Sequence, residues 1–340
     1  MIRHLAAAAA LCTLALTPAA QAQDISAPAP AADKPAVPEG PQDSMVAIDG
    51  GGDALLYGAL LRPGNGSYPT VIILPAQGSD HDGNSSTDGI KSNTYKMLAQ
   101  DLAAKGIASL RIDKRGVGAS YKAIGREEDL RFDTYVEDAV SWIKFMKTQP
   151  HVNCLAVLGH AEGALVAALA TQKIKVCALI EMSGSGRPAA AMLAEQLKVA
   201  NQQKKIDQPL YDEAIKTLNS LSNGKTVAAP SEKLNALFRP SVQPYLISWL
   251  DLNPVEALKQ APPTLILQGS RDYEIGQDDA QKLATAPKYA KVVIVSGADH
   301  DMKVVPAASK TANRADEAAQ PVAPQASMAI ADFLKRLKWP

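Results

Sequence analysis

Leu155-Ala156-Val157-Leu158-Gly159-His160-Ala161-Glu162-Gly163-Ala164 joins a short apolar run to an Ala/Leu/Val-rich segment that continues to about Gln172. The first part reads as a strand covered on both faces and the second as a helix, with glycines that permit a tight turn between them. In the pattern Gly-x-Nuc-x-Gly the central residue is lifted above the sheet beside the helix N-terminus, where a nucleophile belongs. Here that residue is Ala161, which has no hydroxyl.

Working outward, residues 70–74 are another continuous apolar run, followed by an expected helix over 94–105 and a strand over 107–112. A helix starting near Thr134, with Glu137 completing a capping box, places Val136, Val140, Ile143 and Met146 on one buried face. Strands follow at 154–158 and 176–182. Upstream, 45–48 and 54–61 form an expected hairpin around Gly50-Gly51-Gly52. Strands alternating with helices at this spacing predict a mainly parallel, doubly wound α/β sheet. The alternation stops at 184–260, where 192–199, 211–221, 232–238 and 242–252 are helical in pattern, which predicts a helical cap. Strands resume at 264–267 and 292–295, and 328–337 supplies a last amphipathic helix. No internal repeat is present.

Beyond a nucleophile elbow, this architecture places an acid after a later strand and a histidine after the last, in the chain order nucleophile, acid, base. Leu265-Ile266-Leu267-Gln268-Gly269-Ser270-Arg271-Asp272 offers the acid, and Val295-Ser296-Gly297-Ala298-Asp299-His300 the base. Asp272 would orient the imidazole and stabilise its charged form, while His300 would take and return the proton. An aspartate in a turn is usually a cap or a solvated charge; three positions in the right order and context outweigh that reading. Ser120 and Ser183 read as loop serines, His151 as the opening of a strand, and His160 as a flank of the elbow.

From about residue 44 onward the chain resembles the exported bacterial α/β-hydrolases related to the EstD esterase group, within the wider set of serine hydrolases and serine aminopeptidase-like proteins. The matching pieces are 111–118 (Arg-Ile-Asp-Lys-Arg-Gly-Val-Gly), 159–163, Gly186-Arg187-Pro188, 239–248 (Arg-Pro-Ser-Val-Gln-Pro-Tyr-Leu-Ile-Ser), 268–272, and His300 with Lys303. The 239–248 segment is the most specific of these. The resemblance implies an α/β-hydrolase fold and ester or thioester hydrolysis through an acyl-enzyme.

Two departures matter. The family elbow reads Gly-His-Ser-Glu-Gly, and Ala161 stands in place of the serine. After the first parallel strand the family carries Gly-Ser-Gly-Pro-x-Asp-Arg-Asp-Gly; this chain has Pro75-Ala76-Gln77-Gly78-Ser79-Asp80-His81-Asp82-Gly83. Asp80, Asp82 and Gly83 match, but the glycines that bring backbone N–H groups to a substrate oxygen do not, and Pro75 has no N–H. Ala76, Gln77 and Glu162 are the candidate oxyanion or substrate-binding positions. Removing the serine of such a triad lowers kcat about 10⁶-fold, roughly 8 kcal/mol, which rules out ordinary acyl-enzyme turnover. A laboratory Ser-to-Ala change would leave the surroundings matching the family, and the altered 75–79 loop favours natural loss.

Met1-Ile2-Arg3-His4, an apolar run over 5–16, Pro18 and Ala20-Gln21-Ala22 read as a signal peptide over 1–22, cleaved near Ala22 to leave a periplasmic or secreted protein. Cys12 lies within it. Residues 23–42, rich in Pro, Ala and Gln, read as a linker, leaving 43–340 as the folded domain. Cys154 and Cys177 remain, either disulfide-bonded or two buried thiols, and without a nearby His they lack the ligand set of a metal site. Of 340 residues 46% are apolar, and Lys plus Arg balance Asp plus Glu at 35 each, so no strong field favours nucleic acid or an anionic membrane. No later segment is long and apolar enough to span a bilayer. No cofactor is expected. The expected partner is a small ester or acyl ligand, either as substrate of a hydrolase lacking its nucleophile or as the ligand of a pseudo-hydrolase; the sequence carries no signal for oligomeric state.

Overall fold

β1 (Asp43–Asp49) and β2 (Leu55–Leu61) pair antiparallel, and β2 pairs antiparallel with β4 (Ala108–Ile112). From there the sheet is parallel through β3 (Tyr68–Leu74), β5 (Val152–His160), β6 (Ala178–Met182), β7 (Thr264–Gly269) and β8 (Ala290–Val295). The order of the eight strands is β1-β2-β4-β3-β5-β6-β7-β8. This computed structural model describes residues 41, 43–86, 89–305 and 318–337. The expected signal peptide and nearly all of the expected linker lie outside the described residues.

Continuous apolar strands need cover on both faces, and helices supply it. One core gathers Val157, Leu179 and Ile266 of the sheet with α2 (Phe132–Lys147) and α3 (Glu162–Lys173). The other packs Val71, Ile73, Ala156, Leu158 and Leu265 against α1 (Thr94–Ala103) and α10 (Pro324–Arg336). Between β6 and β7 lie α4 (Ala189–Gln202), α5 (Gln208–Ser222), α6 (Asn235–Phe238), α7 (Gln243–Trp249) and α8 (Pro254–Ala257), with no strand among them. Phe238, Val242, Leu246 and Leu250 of this insertion join the same core as α2 and α3. The insertion is therefore built into the body of the domain. α9 (Gln277–Ala284) crosses from β7 to β8.

The start of α2 differs from the sequence expectation. The helix begins at Phe132, and Thr134 Oγ1 accepts the Arg131 N–H at 3.3 Å, while Glu137 pairs with Lys173 across the surface. The reason lies in packing. Phe132 is fully buried beneath Tyr245 and Trp249, and its N–H is taken by Ser248 Oγ at 2.9 Å, so the first turn is fixed two residues earlier by the insertion. Cys154 and Cys177 are free thiols. Among the described residues no helix is long and apolar enough to cross a membrane.

Candidate active site

The turn between β5 and α3 is as tight as its glycines allow. A Cβ on Gly159 would stand 2.1 Å from the Gly163 carbonyl oxygen, and one on Gly163 would stand 2.4 Å from that of Leu74. Their absence lets α3 rest on β5 and the end of β3 rest on α3. Ala161 at the apex has φ 52 and ψ −113, a conformation an L-residue enters at a cost of about 1–3 kcal/mol. Its N–H donates to the Met182 carbonyl at 3.0 Å, and its own carbonyl accepts from Ala164 N–H at 3.1 Å. These contacts hold the strained residue in place.

Asp272 lies in the turn after β7. Its Oδ1 accepts the N–H groups of Glu274 and Ile275 at 2.8 and 2.9 Å, and its Oδ2 meets Gln268 Nε2 at 2.8 Å and His300 Nδ1 at 2.9 Å. Burial opposes its ionisation, but the charge of His300 and these hydrogen bonds outweigh burial and lower its pKa. His300, in the loop after β8, is held through its carbonyl, which accepts from Ser183 Oγ at 2.7 Å and His160 Nε2 at 3.0 Å. Burial works against its charged form, yet Asp272, Glu274 and Asp301 prevail and push the imidazole up to about 10. Its Nε2, the atom that would face a nucleophile, is 4.0 Å from Glu274 Oε2. Lys303 secures the same loop from below, donating to the carbonyls of Ser92 at 2.7 Å and Gln320 at 2.9 Å.

His160, next to Ala161, links base and elbow. Its ring centroid is 5.1 Å from that of His300, and its Nδ1 meets Tyr95 Oη at 2.8 Å. The His300 carbonyl can only accept, so Nε2 of the neutral ring carries the proton and Nδ1 accepts from the Tyr95 hydroxyl, whose oxygen in turn accepts the Ala76 N–H at 2.8 Å. Burial foremost, then the charge of His300, lowers His160 to about 4 and keeps it in this neutral tautomer. The network corrects one sequence expectation. Ala76 has already given its N–H to Tyr95 and is not an oxyanion donor in this arrangement, which leaves Gln77 and Glu162 as backbone candidates. Glu162 opens α3, where N–H groups have no acceptor within their own helix. Its carboxylate is clamped by Lys114 on one side and by Tyr245 Oη at 2.9 Å on the other.

The remaining family-like pieces have structural roles. Asp80 Oδ1 accepts from Asp82 and Asn84 N–H, and Gly83, at φ 92, is pressed against the first turn of α1. His81 sits on Asp113 through both its N–H, at 2.7 Å, and its Nδ1, at 2.9 Å. Arg239 and Ser241 both hold Glu127, so the 239–248 segment seats the insertion on the body of the domain. Ser120 Oγ accepts the Tyr57 N–H, which engages it away from the elbow. Sequence reasoning missed Tyr95, Lys114, Tyr245 and Glu274. Lys114 and Tyr245 lie within the family-like 111–118 and 239–248 pieces and Glu274 two residues past Asp272, whereas nothing in the sequence around Tyr95 singled it out. Among the described residues no cluster of three or more His, Cys, Asp or Glu suits a metal ion.

The sequence pattern of the serine aminopeptidase S33 family matches residues 89–304. Esterase EstD of Thermotoga maritima is 24% identical over 275 residues, covering 78% of this chain; the chain thus spans 61% of that relative's length. Among solved structures, esterase Pf2001 of Pyrococcus furiosus superposes with a TM-score of 0.54 at 17% identity, covering 87% of this chain and 91% of that one. Est1E of Butyrivibrio proteoclasticus, solved with ferulic acid, gives 0.51 at 16% identity, covering 86% and 98%. These likenesses establish the α/β-hydrolase fold.

Proposed function

We propose that this chain, which belongs to the serine aminopeptidase S33 family, carries a site of the carboxylic-ester hydrolase type with Ala161 at the nucleophile position. The observation that carries this reading is the backbone of Ala161. An alanine gains nothing from φ 52 and ψ −113 at the head of a helix, whereas a serine there would present its oxygen to the imidazole. Asp272 holds Nδ1 of His300, and in its neutral form that imidazole would serve such an oxygen. Without it, acyl-enzyme turnover is absent in the chain as it stands. The ligand class is a small ester or acyl compound entering beside the insertion. The composition of residues 1–22 supports export to the periplasm or beyond.

With a hydroxyl restored at position 161, Asp272 would hold Nδ1–H, Nε2 of His300 would take the hydroxyl proton as the oxygen attacks the acyl carbon, and that proton would pass to the leaving alcohol. Developing oxyanion charge would fall on the N–H groups of Glu162 and Gln77. At alkaline pH, where His300 is neutral, Ala161→Ser is therefore expected to hydrolyse short p-nitrophenyl esters at least about 10³-fold faster than the parent chain. A folded Ala161→Ser protein with no gain would remove this reading. A second reading, an acyl-binding pseudo-hydrolase, is favoured by one observation. Glu274 beside Nε2 helps hold His300 as an imidazolium near neutrality, a form that is no base.

A further inference from the structure

Cys154 and Cys177 take no part in the site, yet they bracket it. The segment between them contains the elbow and all of α3. The β5–β6 register begins at Ala156 opposite Ala178, which sets Cys177 level with Leu155, one residue along from Cys154. The Cys177 N–H donates to the Leu155 carbonyl at 2.8 Å. Strands about 4.8 Å apart with a rise of about 3.3 Å per residue give this diagonal a Cα separation of about 5.8 Å. Disulfides most often span about 5.5–6 Å between Cα atoms. Diagonal neighbours in a regular ladder point to opposite faces, but Cys177 precedes the first residue of β6 and escapes that alternation. It packs against the same core cluster as Cys154.

We infer that Cys154 and Cys177 are a disulfide-forming pair that closes the elbow and α3 into a covalent loop when the chain meets a disulfide oxidant. Cys177 is the more exposed of the two and attacks the oxidant. Its sulfur bonds to one oxidant sulfur, the oxidant S–S bond breaks, and one thiol leaves. Cys154 is buried, and the neighbouring Cys177 thiol, followed by burial, raises its pKa, so it acts second. Its sulfur, on losing its proton, attacks Cys177 and expels the second oxidant thiol. Two protein thiols are oxidised and one disulfide is reduced to two thiols. The loop constrains the unfolded chain on both sides of the site and stabilises the fold.

The test uses the full chain carrying Cys12→Ser, so that Cys154 and Cys177 are its only thiols. After incubation with oxidised glutathione it is denatured and alkylated with N-ethylmaleimide. The expected result is no alkylation, a mass lower by two hydrogens, a linked Cys154–Cys177 peptide in a non-reducing digest, and a Tm several degrees above that of the reduced protein. Adding Cys177→Ser, at a half-buried position, should leave a folded protein whose Tm ignores dithiothreitol. Persistence of both alkylatable thiols, or only glutathione adducts and intermolecular dimers, would overturn the inference.

Discussion

His300 and His160 lie ring against ring and titrate in opposite directions. His300 is pushed up to about 10 from an ordinary 6.5 because Asp272, Glu274 and Asp301 outweigh its burial. A histidine with a raised folded pKa contributes stability that is fully present below pH 6.5 and lost as pH rises through about 10. His160 is lowered to about 4, so between pH 4 and 6.5 the unfolded chain binds a proton that the folded chain refuses, and stability rises with pH there. Urea denaturation from pH 3 to 10.5 should thus show a rise followed by an alkaline decline, and Asp272→Asn should flatten the decline. NMR titration should assign the high pKa to His300; a His300 pKa near 6.5 would contradict this electrostatic picture. At this scale Asp272 and His300 were legible because chain order and strand ends define them. Tyr95 was not, because its link to His160 spans 65 residues and nothing in the pattern of α1 marks one buried tyrosine as a hydrogen-bond relay.

The contact between β5 and α3 depends on the missing side chain of Gly159. Gly159→Ala places a methyl group against Gly163 and Ala164 backbone with no flexible atom to yield. A loss of about 3 kcal/mol or more is expected in urea titrations with an unchanged m-value. A loss under about 1 kcal/mol would mean that α3 can lift from the sheet. The insertion depends on charge as well as packing. Arg239→Ala leaves the largely buried carboxylate of Glu127 without its guanidinium, and a cost of about 2 kcal/mol is expected, with hydrogen-exchange protection lost first over 239–249. Uniform loss of protection across the domain would instead mean that the ion pair does not anchor this segment. Strands and long helices were legible from period and composition. The start of α2 was not, because Ser248 and Trp249, more than a hundred residues onward, decide which turn comes first.

Across the whole molecule, alternation of strand and helix foretold the parallel sheet, and its interruption foretold the helical insertion between β6 and β7. How the insertion seats was hidden, because Phe238, Leu246 and Leu250 look alike whether a helix covers a separate lobe or joins the central core, as they do here. That shared core ties the insertion to α3, and α3 to the elbow, so the geometry at Ala161 is a property of the whole fold. A fluorophosphonate probe reads that geometry without knowledge of the natural ligand, since it needs only a serine oxygen, a base and an oxyanion site. At alkaline pH, where His300 is neutral, Ala161→Ser should take up one probe per chain at position 161, the parent chain none, and Ala161→Ser with His300→Gln should label far more slowly. A folded Ala161→Ser protein that stays unlabelled would contradict the assignment of Ala161 to the nucleophile position of an esterase site.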